Sequence, residues 1–175
     1  TDTPLVEAIQ DESLSKFVVE ASSFRLGQSQ NFSPDIGVWL NFSPDHLDVH
    51  KDLKDYELAK SQIWKNISGN QVALGNEDDA IVMSYRPSGG VFRTFGLHRG
   101  NSKVLNDWLF VEGRKLMKVE QLPRNAPHDI SNALAAALTA THAGADSDAI
   151  IETLRHFNHL PHRIEMIIEH EGVKW

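Results

Sequence analysis

Residues 36–60 read IGVWLNFSPDHLDVHKDLKDYELAK, and this stretch decides the fold class. Its beginning, Ile36–Asn41, is a short apolar run closed by a polar residue, which is typical of a strand buried on both faces of an α/β sheet. The segment from Asp52 to Ile67 is predicted to form a helix, because its apolar residues recur at helical spacing and Ser68-Gly69 supplies a stop. A buried strand followed by an amphipathic helix indicates an α/β protein.

The remaining apolar patterns extend this prediction along the chain. Pro4–Ile9 is expected to form a helix, and Lys16–Glu20 a second buried strand. Further strands are predicted at Val72–Leu74, Ala80–Tyr85, Val91–Leu97, Trp108–Glu112 and Lys115–Leu122. The middle third should therefore form a small β-rich annex.

Two helices and a strand are predicted near the C-terminal end. Asp129 or Ser131 is a candidate cap for a helix that runs to His142, with Gly144 beyond its end. Asp146 or Ser147 is a candidate cap for the next helix, which runs through Phe157. The last predicted strand is Arg163–Ile168.

Composition sets the broad class. With 175 residues, 41% of them hydrophobic, the chain is expected to form one compact domain over residues 1–175. A formal charge of −7 argues against nucleic acid as a partner. The absence of cysteine excludes disulfides and thiolate metal sites and fits a cytoplasmic location. The longest strongly apolar helix candidate, Ala133–Ala140, is shorter than the ~20 residues of a membrane span, so no membrane partner is expected.

Glu20 is the first candidate site residue. Ligands of open α/β sheets bind beyond the carboxyl ends of the strands, and Glu20 closes the predicted strand Lys16–Glu20. A carboxylate there suits magnesium, which prefers oxygen ligands. The alternative is a helix cap or a surface charge.

The turn Asn41–His50 follows the other predicted strand. Ser43 and Pro44 form a good helix start, which would place His46 and His50 four residues apart on one helix face. That spacing permits a shared metal ion, although without cysteines it is a weak zinc signal. The alternative is a solvated turn in which acidic residues stabilise a helix start.

Lys60 falls on the helix face that is predicted to be buried. A desolvated lysine loses its proton more readily, and the free amine can act as a nucleophile, as a base or as a site for carbon dioxide addition. A carbamate at Lys60 would be an anionic metal ligand. The alternative is that the stem covers apolar surface while the ammonium reaches water or Glu57.

Four further residues are candidates for nucleotide contact. Asn76 lies in an Asn-Glu-Asp-Asp turn and could instead only shape that turn. His128 and Asn132 stand four residues apart at the start of an Ala-rich helix, where they face a ligand or cap the helix. Arg163 lies at the start of the last predicted strand and could bind a phosphate bidentately or remain exposed.

The order of these segments resembles the central domain of the Mur ligases, ATP-dependent enzymes that build the peptide of bacterial cell-wall precursors. The segments that carry the resemblance cover almost the whole chain: Glu20–Leu26, Asn41–His50, Tyr56–Lys60, Asn76–Asp79, His128–Asn132 and Leu160–Arg163 with Glu165. Glu20–Leu26 and Leu160–Arg163 look most like the D-glutamate-adding branch. Arg25 and Asp129 depart from the family pattern, and the Gly-x-x-Gly-Lys-Ser/Thr phosphate loop is absent from the sequence.

The resemblance implies a fold and a chemistry. The fold would be a three-layer, P-loop-NTPase-like sheet with flanking helices that lacks its first strand and its phosphate-loop helix. ATP and Mg²⁺ would be the cofactors, with Glu20, His46 and carbamylated Lys60 at the metal as the catalytic set. The nucleotide contacts would come from Asn132, Arg163, His128 and Asn76.

The implied reaction joins D-glutamate to UDP-N-acetylmuramoyl-L-alanine through an acyl phosphate, in peptidoglycan synthesis in the bacterial cytoplasm. The chain would be a partial central domain, inactive alone, and its open sheet edge could pair with a second copy. The alternatives are another Mur ligase, a folylpolyglutamate synthase-like ligase, or a free-standing, non-catalytic nucleotide-binding or interaction module.

Overall fold

A computed structural model describes residues 4–45 and 47–157, and the backbone of residues 169–170 and 173–174. The chain divides into two compact units, Thr1–Thr94 and Phe95–Trp175. Within the described residues, no helix is long and apolar enough to cross a lipid bilayer.

The first unit is built on a three-stranded sheet. The strands are β1 (Ile36–Trp39), β2 (Val72–Asn76) and β3 (Val91–Phe95), in the order β1-β2-β3. β1 and β2 are parallel, with Ile36 opposite Val72 and Trp39 opposite Gly75. The helices of this unit are α1 (Leu5–Ala8), α2 (Ser23–Gln28), α3 (Leu53–Ser61), which a 3₁₀ turn at Gln62–Trp64 follows, and α4 (Ala80–Ser84).

The core of the first unit is aromatic. Trp39 of β1 packs edge-on against Trp64, with ring centroids 5.5 Å apart. The Trp64 indole N–H donates to the Gly37 carbonyl, at 2.9 Å. The packing leaves no room for a side chain at Gly37, because a Cβ there would lie 3.0 Å from Ile67 and 3.2 Å from Trp64. This close approach attaches the end of the α3 segment to β1.

The second unit combines an antiparallel meander with two helices. Its strands are β4 (Lys103–Leu105), β5 (Trp108–Val111) and β6 (Arg114–Lys118), in that order. After a 3₁₀ turn at Val119–Gln121 come α5 (Pro127–His142) and α6 (Ser147–His156). The short strands β7 (Glu169–His170) and β8 (Val173–Lys174) pair antiparallel. Fully buried side chains from β5, β6 and α5 form the core: Leu109, Met117, Leu134 and Leu138.

Most predicted elements are confirmed. The helix predicted from Asp52 is α3, although its regular part ends at Ser61 rather than at Ile67. The strands predicted at Ile36, Val72, Val91, Trp108 and Lys115 are all present. The predicted extent of the β-rich annex is wrong, because β2 and β3 pair in the sheet that contains β1, and only β4–β6 form a separate meander. Asp146 caps α6, and Gly144 follows α5 with a φ of +84°. The predicted strand Arg163–Ile168 lies outside the described residues.

The strand predicted at Ala80–Tyr85 is wrong, because this segment forms α4. The Asp79 carboxylate accepts hydrogen bonds from the Ile81 and Val82 amides, at 2.9 and 3.0 Å, and so caps a helix. Only Val82 of α4 is fully buried. A six-residue segment is too short for its apolar pattern to separate a strand from a helix.

The strand predicted at Lys16–Glu20 is also wrong. These residues are exposed and belong to no strand, and Val18 is fully exposed. A strand needs a neighbour for its backbone hydrogen bonds, and none of β1, β2 and β3 pairs with this segment.

Two further details differ from the prediction: the start of α5 and the presence of β4. α5 begins at Pro127, ahead of the predicted caps Asp129 and Ser131, because proline fits the first helical position and needs no amide partner there. The short strand β4 was not predicted, since three residues carry too little periodicity.

A substitution at Gly90 can test the packing of the first unit. Its φ is +74°, and a Cβ there would collide with the Ile67 side chain and lie 2.7 Å from the Gln71 carbonyl oxygen. We expect Gly90→Ala to lower the free energy of unfolding by about 2–5 kcal/mol. Gly69 is the matched control, because its φ is +55° but a Cβ added there would have nothing within 4 Å.

Gly69→Ala should therefore cost only the backbone term of about 1–2 kcal/mol. Urea unfolding of both variants measures the difference. Equal losses in the two variants would show that the packing around Gly90 is not as described.

Candidate functional site

The segment after β1 is attached to the turn after β2. The Asn76 side-chain amide donates to the Leu40 carbonyl at 2.9 Å, and the Phe42 amide donates to the Asp79 carboxylate at 2.6 Å. Because β1 and β2 are parallel, their carboxyl ends lie together and the Asn76–Asp79 turn can reach the neighbouring segment. The backbone that leads to His46 is fixed at these two points.

The helix predicted to start at Ser43 and Pro44 is wrong for the described residues, which form bends and turns up to Asp52. The next helix, α3, starts at Leu53, where the Asp52 carboxylate accepts the Asp55 amide at 2.8 Å. His46 itself lies outside the described residues.

Asn76 uses both ends of its side-chain amide within the protein. Its nitrogen donates to Leu40, and its oxygen accepts the Asp78 amide at 3.0 Å. These bonds match the turn-shaping role that was one of its two predicted roles. Contact between Asn76 and a nucleotide stays a prediction.

His50 is buried, and it joins two of the predicted motif segments. Its Nε2 lies 2.9 Å from the Ser23 hydroxyl, and its Nδ1 lies 3.1 Å from the Asp55 carboxylate. The imidazole stacks on Phe24 at 5.5 Å and contacts the Tyr56 ring at 5.0 Å. Both ring nitrogens have partners, so His50 is not free to share a metal ion with His46.

Lys60 is half-buried on α3, as its position in the helix predicted. Its ammonium lies over the ring of buried Tyr56, 5.2 Å from the centroid. Tyr56 also contacts Phe42, with centroids 5.0 Å apart. Within the described residues, no carboxylate forms an ion pair with Lys60.

Glu57 is not the partner of Lys60. It accepts hydrogen bonds from the Lys54 ammonium at 3.0 Å and from the Tyr85 hydroxyl at 2.8 Å. These bonds, with that from Lys54 the larger, lower the pKa of Glu57. The bonds to Tyr85 and Glu57 raise the pKa of Lys54. Lys54, Glu57 and Tyr85 together connect α3 to the end of α4. The Lys60 amine takes no part in these bonds and lies over the Tyr56 ring.

Glu20 is exposed and lies two residues before Ser22, the N-cap of α2. The Ser22 hydroxyl accepts the Arg25 amide at 3.4 Å, so Arg25 contributes its backbone to the cap. Among the described residues, no three His, Asp or Glu side chains are grouped closely enough to hold a metal ion. The predicted metal set also contains His46, which is not described, so it stays a prediction.

In the second unit, the residues around the start of α5 form a charged group. The Asp129 carboxylate is buried and lies 3.3 Å from both Arg124 Nε and His128 Nε2. His128 and Asn132 are exposed on the same helix. Asp129, the residue that departs from the family pattern, therefore faces Arg124 and His128 within the protein. Arg163 lies outside the described residues.

Comparison with known proteins identifies the family. The model of the Mur ligase middle domain matches residues 4–140, which is most of the chain. The chain belongs to the Mur ligase middle-domain family. This membership agrees with the α/β fold and with its parallel strands β1 and β2.

Two curated relatives carry the name UDP-N-acetylmuramoylalanine–D-glutamate ligase. The Escherichia coli (strain K12) protein is 33% identical over 170 residues, which is 94% of this chain and 38% of the relative. The Caldanaerobacter subterraneus subsp. tengcongensis protein is 36% identical over 163 residues, which is 90% of this chain and 36% of the relative. The Mur middle-domain chain therefore spans less than two-fifths of the length of these relatives.

Solved Mur ligase structures have the same fold. UDP-N-acetylmuramoyl-L-alanyl-D-glutamate–2,6-diaminopimelate ligase matches with a TM-score of 0.67 and 24% identity, over 86% of this chain and 34% of the other. The D-alanyl-D-alanyl ligase of Acinetobacter baumannii matches with a TM-score of 0.62 and 21% identity, over 78% of this chain and 32% of the other. At these identities the likeness establishes the fold alone.

The contribution of Asp79 to stability can be compared with that of Asp52, which among the described residues serves only as a helix cap. Both residues cap a short helix, but only Asp79 also accepts a backbone amide from a remote segment, that of Phe42. We expect Asp52→Ala to lower the free energy of unfolding by about 1 kcal/mol, the value of a cap. Asp79→Ala should lower it by about 2–4 kcal/mol, because a charge-assisted hydrogen bond is lost as well. Urea unfolding gives both values, and equal losses would contradict the role of Asp79 in fixing the Phe42 segment.

Proposed function

We propose that this Mur middle domain belongs to an ATP-dependent ligase that joins D-glutamate to UDP-N-acetylmuramoyl-L-alanine in peptidoglycan synthesis in the bacterial cytoplasm. The observation that carries the proposal is the contact between three motif segments. Ser23 and Phe24 contact His50, His50 contacts Tyr56, and the Lys60 ammonium lies over Tyr56. The names of the two curated relatives support the same acceptor and amino acid.

In the proposed reaction, a carboxylate oxygen of the UDP-linked substrate attacks the γ-phosphorus of ATP and ADP leaves. The amine of D-glutamate then attacks the acyl carbon, phosphate leaves, and the amine gives up a proton. Catalysis of this kind depends on positioning and on charge neutralisation. This chain would contribute residues that hold a cation and the nucleotide in place.

Magnesium is the proposed cation, and it would neutralise charge on the phosphates and the acyl oxygens. Glu20 and His46 are proposed as two of its ligands. Lys60 can be a third ligand only as a carbamate, since its ammonium has no lone pair. This proposal is supported by the half-buried position of the Lys60 side chain and by the absence of an ion pair between Lys60 and any described carboxylate. Asn132, Arg163, His128 and Asn76 are the proposed nucleotide contacts.

The proposal of D-glutamate over another amino acid rests on the resemblance of two segments, Ser22-Ser23-Phe24 and Leu160–Arg163, of which the second lies outside the described residues. Ligases for other amino acids have the same fold, so the fold does not discriminate between them. Folylpolyglutamate synthase-like ligases share the domain but differ in these two segments. Here Ser23 and Phe24 both contact His50, so the first segment is part of the packed site.

Lys60 provides the test in the full-length ligase that contains this chain. Lys60→Ala should lower kcat/KM at least ~100-fold, because loss of a metal ligand removes several kcal/mol of charge stabilisation. Lys65→Ala, at an exposed lysine five residues away, should leave it unchanged. Added bicarbonate should not rescue Lys60→Ala. Formation of ADP and of the amide product is the readout, and full turnover by Lys60→Ala would refute the assigned role.

A second copy of the chain is a further proposed partner. Among the described strands, β1 lies at one edge of the β1-β2-β3 sheet and pairs only with β2, so its other side can pair with a further strand. Gel filtration of the 175-residue chain at two concentrations should show a dimer whose share rises with concentration. A monomer at both concentrations would contradict pairing through this edge.

A further inference from the structure

We propose that His50 is a positioning residue that fixes the Ser22-Ser23-Phe24 segment against the helix that carries Lys60. It touches neither Glu20 nor Lys60, and it acts through Ser23, Phe24 and Tyr56. Its effect on catalysis depends on the proposed ligase function. Its bonding within this chain does not.

For a neutral His50 ring, one tautomer satisfies both of its hydrogen-bond partners. An ionised Asp55 carboxylate can only accept, so Nδ1 carries the proton and donates to Asp55 at 3.1 Å. Nε2 of the neutral ring is then an acceptor, and the Ser23 hydroxyl donates to it at 2.9 Å. Ser23 is 4% exposed and His50 is 9% exposed, so water does not compete well for this bond.

Ring contacts continue the connection towards Lys60. The imidazole lies nearly parallel to the Phe24 ring, at 14° and 5.5 Å, and 5.0 Å from the Tyr56 ring. Tyr56 carries the Lys60 ammonium over its own face at 5.2 Å. A continuous series of contacts thus runs from the first turn of α2 to Lys60.

α2 and α3 approach closely beside this series. A Cβ added at Gly27 would lie 3.3 Å from the Cβ of Ala59, the residue before Lys60. Glu20 precedes Ser23 by three residues, so a shift of the first turn of α2 moves the segment that carries Glu20. Displacement of a reacting group by ~1 Å costs ~100-fold in rate, and loss of an outer partner of a metal ligand costs ~10–100-fold.

Two variants separate the hydrogen bonds from the ring contacts. His50→Phe keeps an aromatic ring between Phe24 and Tyr56 and loses both hydrogen bonds. Ser23→Ala removes a single buried hydroxyl. His156→Phe is the matched control, because His156 is exposed on α6 in the second unit. The double variant, Ser23→Ala with His50→Phe, tests whether the two residues act together.

In the full-length ligase, we expect each of the two single variants to lower kcat ~10–100-fold, with KM for ATP within about twofold of wild type. The double variant should be no slower than His50→Phe alone, because both changes break the same bond. His50→Gln, whose amide can reach Ser23, should recover part of kcat. Wild-type kcat in Ser23→Ala, or a loss that only follows a lower fraction of folded protein, would overturn the proposal.

A second measurement does not require ligase activity. In ¹⁵N spectra of the histidines of this chain, His50 should carry its proton on Nδ1, and Ser23→Ala should shift its Nε2 resonance. A proton on Nε2, or no response to Ser23→Ala, would overturn the proposed bonding. If the full-length protein formed no amide while these spectra were as expected, the ligase function would be wrong and the His50 connection would stand.

Discussion

The parallel pairing of β1 with β2 is the constraint on which the first unit depends. It places the carboxyl ends of both strands side by side, so that Asn76 and Asp79 can reach Leu40 and Phe42. The indole N–H of Trp64, at the end of the α3 segment, donates to the carbonyl of Gly37 in β1. The backbone that precedes His46 and the end of the α3 segment are therefore both attached to these two strands.

The elements predicted best are the long helices, such as α3 and α5, because each has an extended helical pattern and an end signal. Sequence reasoning failed where a short apolar run had more than one solution. In α4, the Asp79 cap decides in favour of a helix, and that cap depends on the position of a single carboxylate. Lys16–Glu20 has the composition of a strand, but a local pattern cannot supply the neighbouring strand that pairing requires.

Short motifs in the sequence were enough to name the candidate residues. The contacts that these residues make with one another could not be predicted from the same motifs. The bond between Ser23 and His50 spans 27 residues of sequence, and no periodicity encodes it. The partner suggested for Lys60, Glu57, is instead bonded to Lys54 and to Tyr85, which lies 28 residues further on. Conversely, the half-buried position of Lys60 could be predicted, because it depends only on the phase of α3.

The most direct test of the proposed metal site is a crystal structure of the full-length ligase with an ATP analogue and Mn²⁺, with the metal located by its anomalous scattering. We expect one manganese ion within ligand distance of Glu20, His46 and a carbamate on Lys60. An unmodified Lys60 whose ammonium still lies over Tyr56, with the metal held by other residues, would contradict it.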